Sequence, residues 1–146
     1  ASKSRDNGRT PMQWDASHNA GFTEAEPWIG VCDNYETVNA RAALDDPDSV
    51  FYTYQSLIRL RKTLPVLTWG DYEDLLPDHP SLWCYRRQWQ GQTLVVVANL
   101  SREFQRWQPE AMSGDWRMLM SNYAEATNRP ADMTLRPFEA VWWLQE

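Results

Sequence analysis

The chain has 146 residues, enough for one domain of ordinary size with a sizeable core, and its formal net charge is −6. Nine tryptophans and a hydrophobic fraction of 42% indicate a folded protein rather than a disordered one. Because the net charge is negative and the basic residues form no single block, the composition argues against a nucleic-acid or acidic-membrane partner.

Cysteine usage and hydropathy indicate a cytoplasmic protein. No apolar run approaches the ~20 residues of a transmembrane helix, and no signal peptide opens the chain. The two cysteines, Cys32 and Cys84, do not make a disulfide framework, and Cys84 is expected to be a buried thiol on a strand. The chain starts at Ala1, without Met and inside a motif-dense segment, so we expect it to be a piece of a longer polypeptide.

Residues 1–37 have the composition of an irregular loop. Gly, Asn, Asp and Pro recur, and neither a period of 2 nor one of 3.6 persists. The segment nevertheless carries large side chains, among them Trp14, Phe22 and Trp28. A long loop of this kind is usually packed against something and often functional.

Two helices are predicted next. Asn39 is suited to cap a short helix over residues 40–44. In the second helix, over residues 46–64, Asp46 is the expected N-cap and Pro47 occupies the first helical position. Apolar residues recur at spacings of three and four and form a stripe on this helix, and Pro65 ends it. The stripe consists of Val50, Phe51, Tyr54, Leu57 and Ile58.

From Pro65 onward the pattern predicts β-structure. Its centre is a hairpin in which two apolar-rich runs, residues 82–89 and 94–98, flank a polar break at residues 90–92 containing Gly91. The second run is continuously apolar and rich in Val, which predicts a central strand buried on both faces. Further short strands are predicted at residues 66–69, 72–76, 104–107, 116–120, 133–135 and 139–144. Many short strands with regular turn signals imply an antiparallel sandwich or barrel-like sheet, mainly β, with its boundary near Pro65.

The candidate chemistry lies in the first fifteen residues. Arg5 and Arg9 offer planar, always charged donors for carboxylates, phosphates or sugar hydroxyls, and Trp14 offers a stacking face. The competing interpretation is an Arg–Asp pair with Asp6 that merely ties the loop down. No catalytic constellation, metal-ligand spacing or phosphate loop is visible, and His79 is expected to be an exposed turn residue. The many tryptophans could form a sugar-binding platform, although the adjacent Trp142 and Trp143 must face opposite sides, so that one of them belongs to the core.

The same cluster carries a resemblance. SRDNGRTPMQWD at residues 4–15, then NAGFT at 19–23 and PWI at 27–29, resembles the loop after the eighth barrel strand in the oligo-1,6-glucosidase branch of the α-amylase family. LTWGDY at 67–72, LWCYRR at 82–87 and LRPFEAVWW at 135–143 are especially similar to the members of that branch that cleave trehalose 6-phosphate. Gly8 stands where the family pattern has Ala or Ser, which is a small departure.

The resemblance implies a catalytic (β/α)₈ barrel followed by a small antiparallel β-sandwich, the family's domain C. Residues 1–64 would be the last loop and helix of the barrel, and residues 65–146 the sandwich. The family cleaves α-glucosidic bonds with retention, using a carboxylate nucleophile, a Glu acid/base and a further Asp. All three would lie upstream of Ala1, so the chain as given is expected to hold no catalytic residue, no metal site and no cofactor, and to be inactive alone. Arg5 and Arg9 would lie near the mouth of the active site and bind the carbohydrate substrate.

The reaction implied for the intact enzyme is cleavage of α,α-trehalose 6-phosphate to glucose and glucose 6-phosphate. The alternatives are an oligo-1,6-glucosidase fragment, a non-catalytic β-sandwich that binds sugars through exposed tryptophans, and a purely structural domain. Without a barrel to cover its apolar stripe, the helix at 46–64 would favour self-association.

Overall fold

The computed structural model describes residues 5–109, 112–125, 130 and 132–146. The chain divides into two compact units, Ala1–Leu57 and Ile58–Glu146. Within the described residues, no helix is long and apolar enough to cross a membrane.

The first unit consists of a long loop, a short helix and the first turns of a longer helix. The loop contains two 3-10 turns, at Arg5–Gly8 and His18–Gly21, and helix α1 follows at Ala40–Asp45. The predicted cap of α1 is confirmed, because Asn39 Oδ1 accepts a hydrogen bond from the backbone N–H of Ala42 at 2.8 Å. The loop is also tied to this helix by its backbone, since the N–H groups of Ala40 and Arg41 donate to the carbonyls of Gln13 and Trp14.

Helix α2 spans Val50–Thr63, so the prediction that it starts at Asp46 was wrong. The Asp46 carboxylate accepts from the N–H of Asp48 at 3.0 Å, and its carbonyl accepts from that of Ser49 at 3.1 Å. These bonds close a separate turn before the helix, because a short acidic side chain competes locally for backbone donors. The helix stops before Pro65 as predicted, and none of its residues is buried.

Residues 66–69 were predicted as a strand, and this was wrong, because Val66–Trp69 forms helix α3. Pro65 has helical dihedrals (φ −55°, ψ −33°), and the N–H groups of Thr68 and Trp69 donate to its carbonyl at 2.9 and 2.8 Å. Val66 is fully buried in a cluster with Leu94, Val96 and Leu144. Burial of this side chain in a turn whose backbone is already hydrogen-bonded overrides the β-preference of the local sequence.

The second unit is built on two antiparallel sheets. The larger has the order β1-β2-β3-β7-β5 and the smaller pairs β4 with β6. The strands are β1 Asp71–Asp74, β2 Leu82–Trp89, β3 Gln92–Asn99, β4 Gln105–Trp107, β5 Arg117–Ser121, β6 Met133–Leu135 and β7 Ala140–Gln145. The mainly-β antiparallel fold predicted from the sequence is therefore confirmed, as is its central hairpin.

The hairpin has the register expected for a tight turn. Trp89 pairs with Gln92, and the two residues between them, Gln90 and Gly91, have positive φ angles of 45° and 87°. Positive φ at both central residues matches the right-handed twist of the flanking strands.

Strand β3 is covered on both faces, as its continuous apolar pattern predicted. One face contributes Val95 and Val97 to a cluster that also holds Cys84 and Trp143. The other contributes Leu94 and Val96 to the cluster that contains Val66. Trp143 is 5% exposed, which confirms that one of the two adjacent tryptophans of β7 belongs to the core.

Candidate functional site

The two arginines singled out in the sequence lie in or next to the first 3-10 turn. The side chain of Arg5 lies outside the part of the chain that the structure describes. Arg9 is exposed, and its Nη1 lies 3.4 Å from Asp6 Oδ1, while its guanidinium carbon lies 5.4 Å from the centre of the Trp28 ring. Trp28 is 84% exposed, so both the ring and the cation can reach a ligand. The role of Arg5 and Arg9 in substrate binding stays a prediction.

Arg9 and Trp28 share the wall of a cleft of about 330 Å³. This volume is within the ordinary range for small-molecule sites. The lining combines aromatic faces and prolines with one cation and one carboxylate. The lining residues are Arg9, Thr10, Pro11, Phe22, Thr23, Glu26, Pro27, Trp28 and Ile29. Such a mixture suits a ligand that has both an apolar ring face and polar groups, as a sugar does.

The wall formed by Phe22 and Thr23 follows an unusual turn. Asn19, Ala20 and Gly21 have positive φ angles of 52°, 57° and 65°. Left-handed conformations are uncommon for residues with a side chain, and such strain collects at functional sites. The turn persists because its backbone is hydrogen-bonded: the Ala20 carbonyl accepts from the N–H groups of Trp14 and Asp15 at 2.9 and 3.2 Å.

Asp15 holds the start of this turn. Its carboxylate accepts hydrogen bonds from both the hydroxyl and the backbone N–H of Ser17, the latter at 2.9 Å. These bonds favour the ionised form and lower the pKa of Asp15, with the side-chain bond from Ser17 the largest cause. Position 21 suits glycine because its φ is 65°, and a Cβ there would also lie 2.7 Å from Asp15 Oδ1.

Sequence reasoning identified Arg9, Trp14, Phe22 and Trp28 as notable residues but did not group any of them into a cleft. It missed Glu26 altogether, because no spacing or motif in an irregular loop indicates which way a lone carboxylate points. It also read Asn19 and Ala20 only as part of a motif. A run of Asn, Ala and Gly after a polar stretch is a turn signal, and it could have suggested the left-handed conformation.

The cleft presents one cation, one carboxylate and aromatic rings to a ligand. Glu26 is the single carboxylate among the described residues that line the cleft, so the two carboxylates of a glycosidase are not assembled there. Within the described part of the chain, no group of three His, Cys, Asp or Glu side chains could hold a metal. His79, expected to be exposed, is half-buried, and its Nδ1 accepts from the N–H groups of Ser81 and Leu82 at 3.2 and 2.8 Å, which is a structural role.

Three aromatic rings of the second unit form a short row on the larger sheet. The Tyr85 ring lies 5.1 Å from Trp83 and 5.4 Å from Tyr72, measured between ring centres. Trp83 and Tyr72 are 46% and 57% exposed. The rings are tilted by 43° and 31° to Tyr85 rather than coplanar, so they offer no single flat face to a sugar.

Comparison with known proteins shows which family and which enzymes the chain resembles. Residues 1–70 match the family described as alpha amylase, catalytic domain. The chain is 65% identical over 146 residues to trehalose-6-phosphate hydrolase of Escherichia coli (strain K12), with 100% of this chain and 26% of that protein covered. It is 45% identical over 146 residues to oligo-1,6-glucosidase of Heyndrickxia coagulans, with 99% of this chain and 25% of that protein covered. The crystal structure of Bacillus licheniformis trehalose-6-phosphate hydrolase matches it with a TM-score of 0.92 and 40% identity, over 97% of this chain and 26% of that one.

The chain thus spans about a quarter of the length of the relatives it matches. Its resemblance to the oligo-1,6-glucosidase branch of the α-amylase family is confirmed, and it corresponds to a part of such enzymes. The remaining three quarters of each relative have no counterpart in the chain.

Proposed function

Starting from its similarity to α-amylase-family glucosidases, we propose that this chain is the C-terminal part of a retaining glycoside hydrolase that cleaves α,α-trehalose 6-phosphate to glucose and glucose 6-phosphate. The observation that carries the proposal is 65% identity to one trehalose-6-phosphate hydrolase along the whole chain. A cytoplasmic location is part of the proposal. It is supported by Cys32 and Cys84, which are both free thiols.

The two parts of the chain have different tasks in this proposal. Residues 1–64 complete the catalytic barrel and residues 65–146 form domain C. This division is supported by the match of residues 1–70 to the catalytic-domain family and by the all-antiparallel sheets that follow. The catalytic carboxylates belong to the rest of the enzyme, so the chain on its own does not cleave the substrate.

Within the barrel part, the cleft beside Arg9 binds the substrate. The described contact with Asp6 uses one of the five N–H donors of the guanidinium, which leaves donors for sugar hydroxyls or a phosphate. The face of Trp28 can stack against a sugar ring beside this cation. Arg5, four residues earlier, is proposed to bind the substrate alongside Arg9.

The test uses the complete enzyme that contains this segment. We expect it to release glucose from trehalose 6-phosphate with retention, so that the α-anomer forms first. Arg9→Ala should lower kcat/KM for this substrate by about 10- to 100-fold, since hydrogen bonds to a charged group are lost. Arg102→Ala, which removes an exposed arginine of the second unit, is the matched control and should leave kcat/KM unchanged.

The second candidate, an oligo-1,6-glucosidase, is favoured by the 45% identity to the Heyndrickxia coagulans enzyme. Hydrolysis of isomaltose without hydrolysis of trehalose 6-phosphate would support it and refute the first. The isolated 146-residue chain should turn over neither sugar. Saturable changes in its tryptophan fluorescence on titration with maltose or trehalose would instead support a sugar-binding module.

A further inference from the structure

Asn19 makes two contacts that reach beyond its own turn. Its side-chain amide donates to the carbonyl of Thr23 and to that of Ala25, both at 3.1 Å. Both hydrogens of the amide are therefore used, and both bonds go to the segment that carries Phe22 and Thr23 into the cleft wall. The side chain is half-buried, so water competes for these carbonyls only in part.

The backbone of Asn19 fixes the other end of the same segment. With φ 52° and ψ 31° it starts the left-handed run through Ala20 and Gly21. Ala20 is fully buried, and its N–H donates to the Ser17 carbonyl at 2.9 Å. The N–H of Phe22 in turn donates to the carbonyl of Asn19 at 3.0 Å. One residue thus controls the direction in which the chain leaves the turn and the course it takes afterwards.

From this geometry we propose that Asn19 is a positioning residue for substrate binding, and that its amide holds the Phe22 and Thr23 wall against the space that Arg9 and Trp28 also line. The inference rests on the proposed function, because it assigns the cleft to a sugar substrate. Asn19 does not line the cleft itself, so it acts through the residues that do. A positioning role predicts that its loss weakens binding while the chemical step stays intact.

Two variants of the complete enzyme separate the amide from the backbone. Asn19→Gly keeps the left-handed conformation without steric cost and removes the amide. Asn19→Asp keeps the shape of the side chain and replaces its two donors with an acceptor. Ala20→Gly is the control, since it relaxes the neighbouring left-handed residue without touching either hydrogen bond.

Steady-state kinetics with trehalose 6-phosphate is the measurement, with enzyme concentration normalised by folded protein. For Asn19→Gly and Asn19→Asp we expect KM to rise by roughly 3- to 10-fold and kcat to stay within about 2-fold, as the loss of one or two net hydrogen bonds implies. Ala20→Gly should have the KM of the unmodified enzyme. An unchanged KM in Asn19→Gly would overturn the inference, because Asn19 would then supply only its backbone conformation. A fall in kcat at constant KM would also overturn it.

The inference and the proposed function can fail separately. If the unmodified enzyme cleaves isomaltose and not trehalose 6-phosphate, the proposed substrate is wrong. The same three variants measured with isomaltose would then still decide whether Asn19 positions the wall.

Discussion

Glu139 is fully buried, and Arg136 donates three hydrogen bonds to its carboxylate. Arg136 Nε donates to Oε2 at 3.1 Å, Nη2 donates to Oε1 at 2.9 Å, and the backbone N–H of Arg136 donates to Oε2 at 2.8 Å. The arginine side chain is 29% exposed, whereas that of Glu139 is 0% exposed. The hydrogen bond from Arg136 to Glu139 is also the largest cause of a raised pKa for Arg136, so this guanidinium stays charged.

Arg136→Met removes the guanidinium beside this buried carboxylate. Removing one member of a buried ion pair costs about 3–5 kcal/mol, because the charge that remains is shielded from water and has lost the opposite charge of the pair. The variant also loses the guanidinium that lies 3.8 Å from the centre of the Tyr123 ring. For a chain of this length the loss should lower the melting temperature by roughly 6–20 °C.

Glu139→Gln should destabilise the chain less, by about 1.5–3 kcal/mol, since the charge that remains is on Arg136, which solvent reaches. An exposed pair of similar geometry gives the matched control. Arg106 Nε and Nη2 donate to Asp132 Oδ1 and Oδ2 at 3.0 and 2.9 Å, and the two side chains are 63% and 50% exposed. Arg106→Met should therefore cost only about 0–1 kcal/mol.

Urea denaturation of the chain, followed by tryptophan fluorescence, measures all three free energies of unfolding. An Arg136→Met variant no less stable than Arg106→Met would refute the reasoning, because burial would then not determine the cost.

Two further predictions concern a thiol and the apolar stripe of α2. Burial, assisted by the charge of Asp74, raises the pKa of Cys84 to about 12, so in the native chain a thiol reagent at pH 8 should label Cys32 and spare Cys84 until denaturant is added. The raised pKa also predicts that the free energy of unfolding falls as the pH rises from 9.0, the ordinary pKa of a thiol, towards about 12, since only the thiol of the unfolded chain ionises in that range. Rapid labelling of the native Cys32→Ser variant would contradict the burial of Cys84. On α2, Phe51 and Ile58 are 45% and 52% exposed, so the isolated chain should self-associate through the stripe, and Phe51→Asp should restore a monomer in analytical ultracentrifugation. Gln55→Asp is the control on the same helix, and a wild-type monomer at roughly tens of micromolar would contradict the prediction, because it would put Kd above the micromolar range.

The parts of the fold that could be predicted are those in which local pattern and tertiary burial agree. The hairpin of β2 and β3 combines apolar runs with a glycine at its turn, and the structure confirms that both faces of β3 are covered, as its continuous apolar run predicted. Asn39 caps its helix because a short polar side chain just before an alanine-rich run can accept a hydrogen bond from a backbone N–H of the first helical turn. In both places the sequence contains the whole physical reason for the structure.

Prediction fails where two local preferences are almost equal or where a distant contact decides between them. Val66 has a strand former's side chain, yet its burial against β3 and β7 selects a helical turn. Asp46 is a good N-cap, yet it closes its own turn and α2 starts four residues later. For the candidate cleft, the sequence could supply Arg9 and the aromatic residues but not their grouping, since an irregular loop has no period from which a direction could be read.

Some residues that carry a side chain adopt a backbone conformation with positive φ. In the described part of the chain, Asn19, Ala20, Gln90 and Phe138 are the non-glycine residues with this conformation. Gln90 belongs to a hairpin turn that requires it. Ala20 buries only a methyl group and Phe138 is 55% exposed, so in both cases the hydrogen bonds around the residue help to offset the strain. The carbonyl of Phe138 accepts from the side-chain amide of Asn122 at 2.8 Å, and its N–H donates to the carbonyl of Ser101 at 3.1 Å. Hydrogen bonds that hold strained residues in place keep the backbone in one conformation at those positions. The cleft wall formed by Phe22 and Thr23 requires such a fixed backbone.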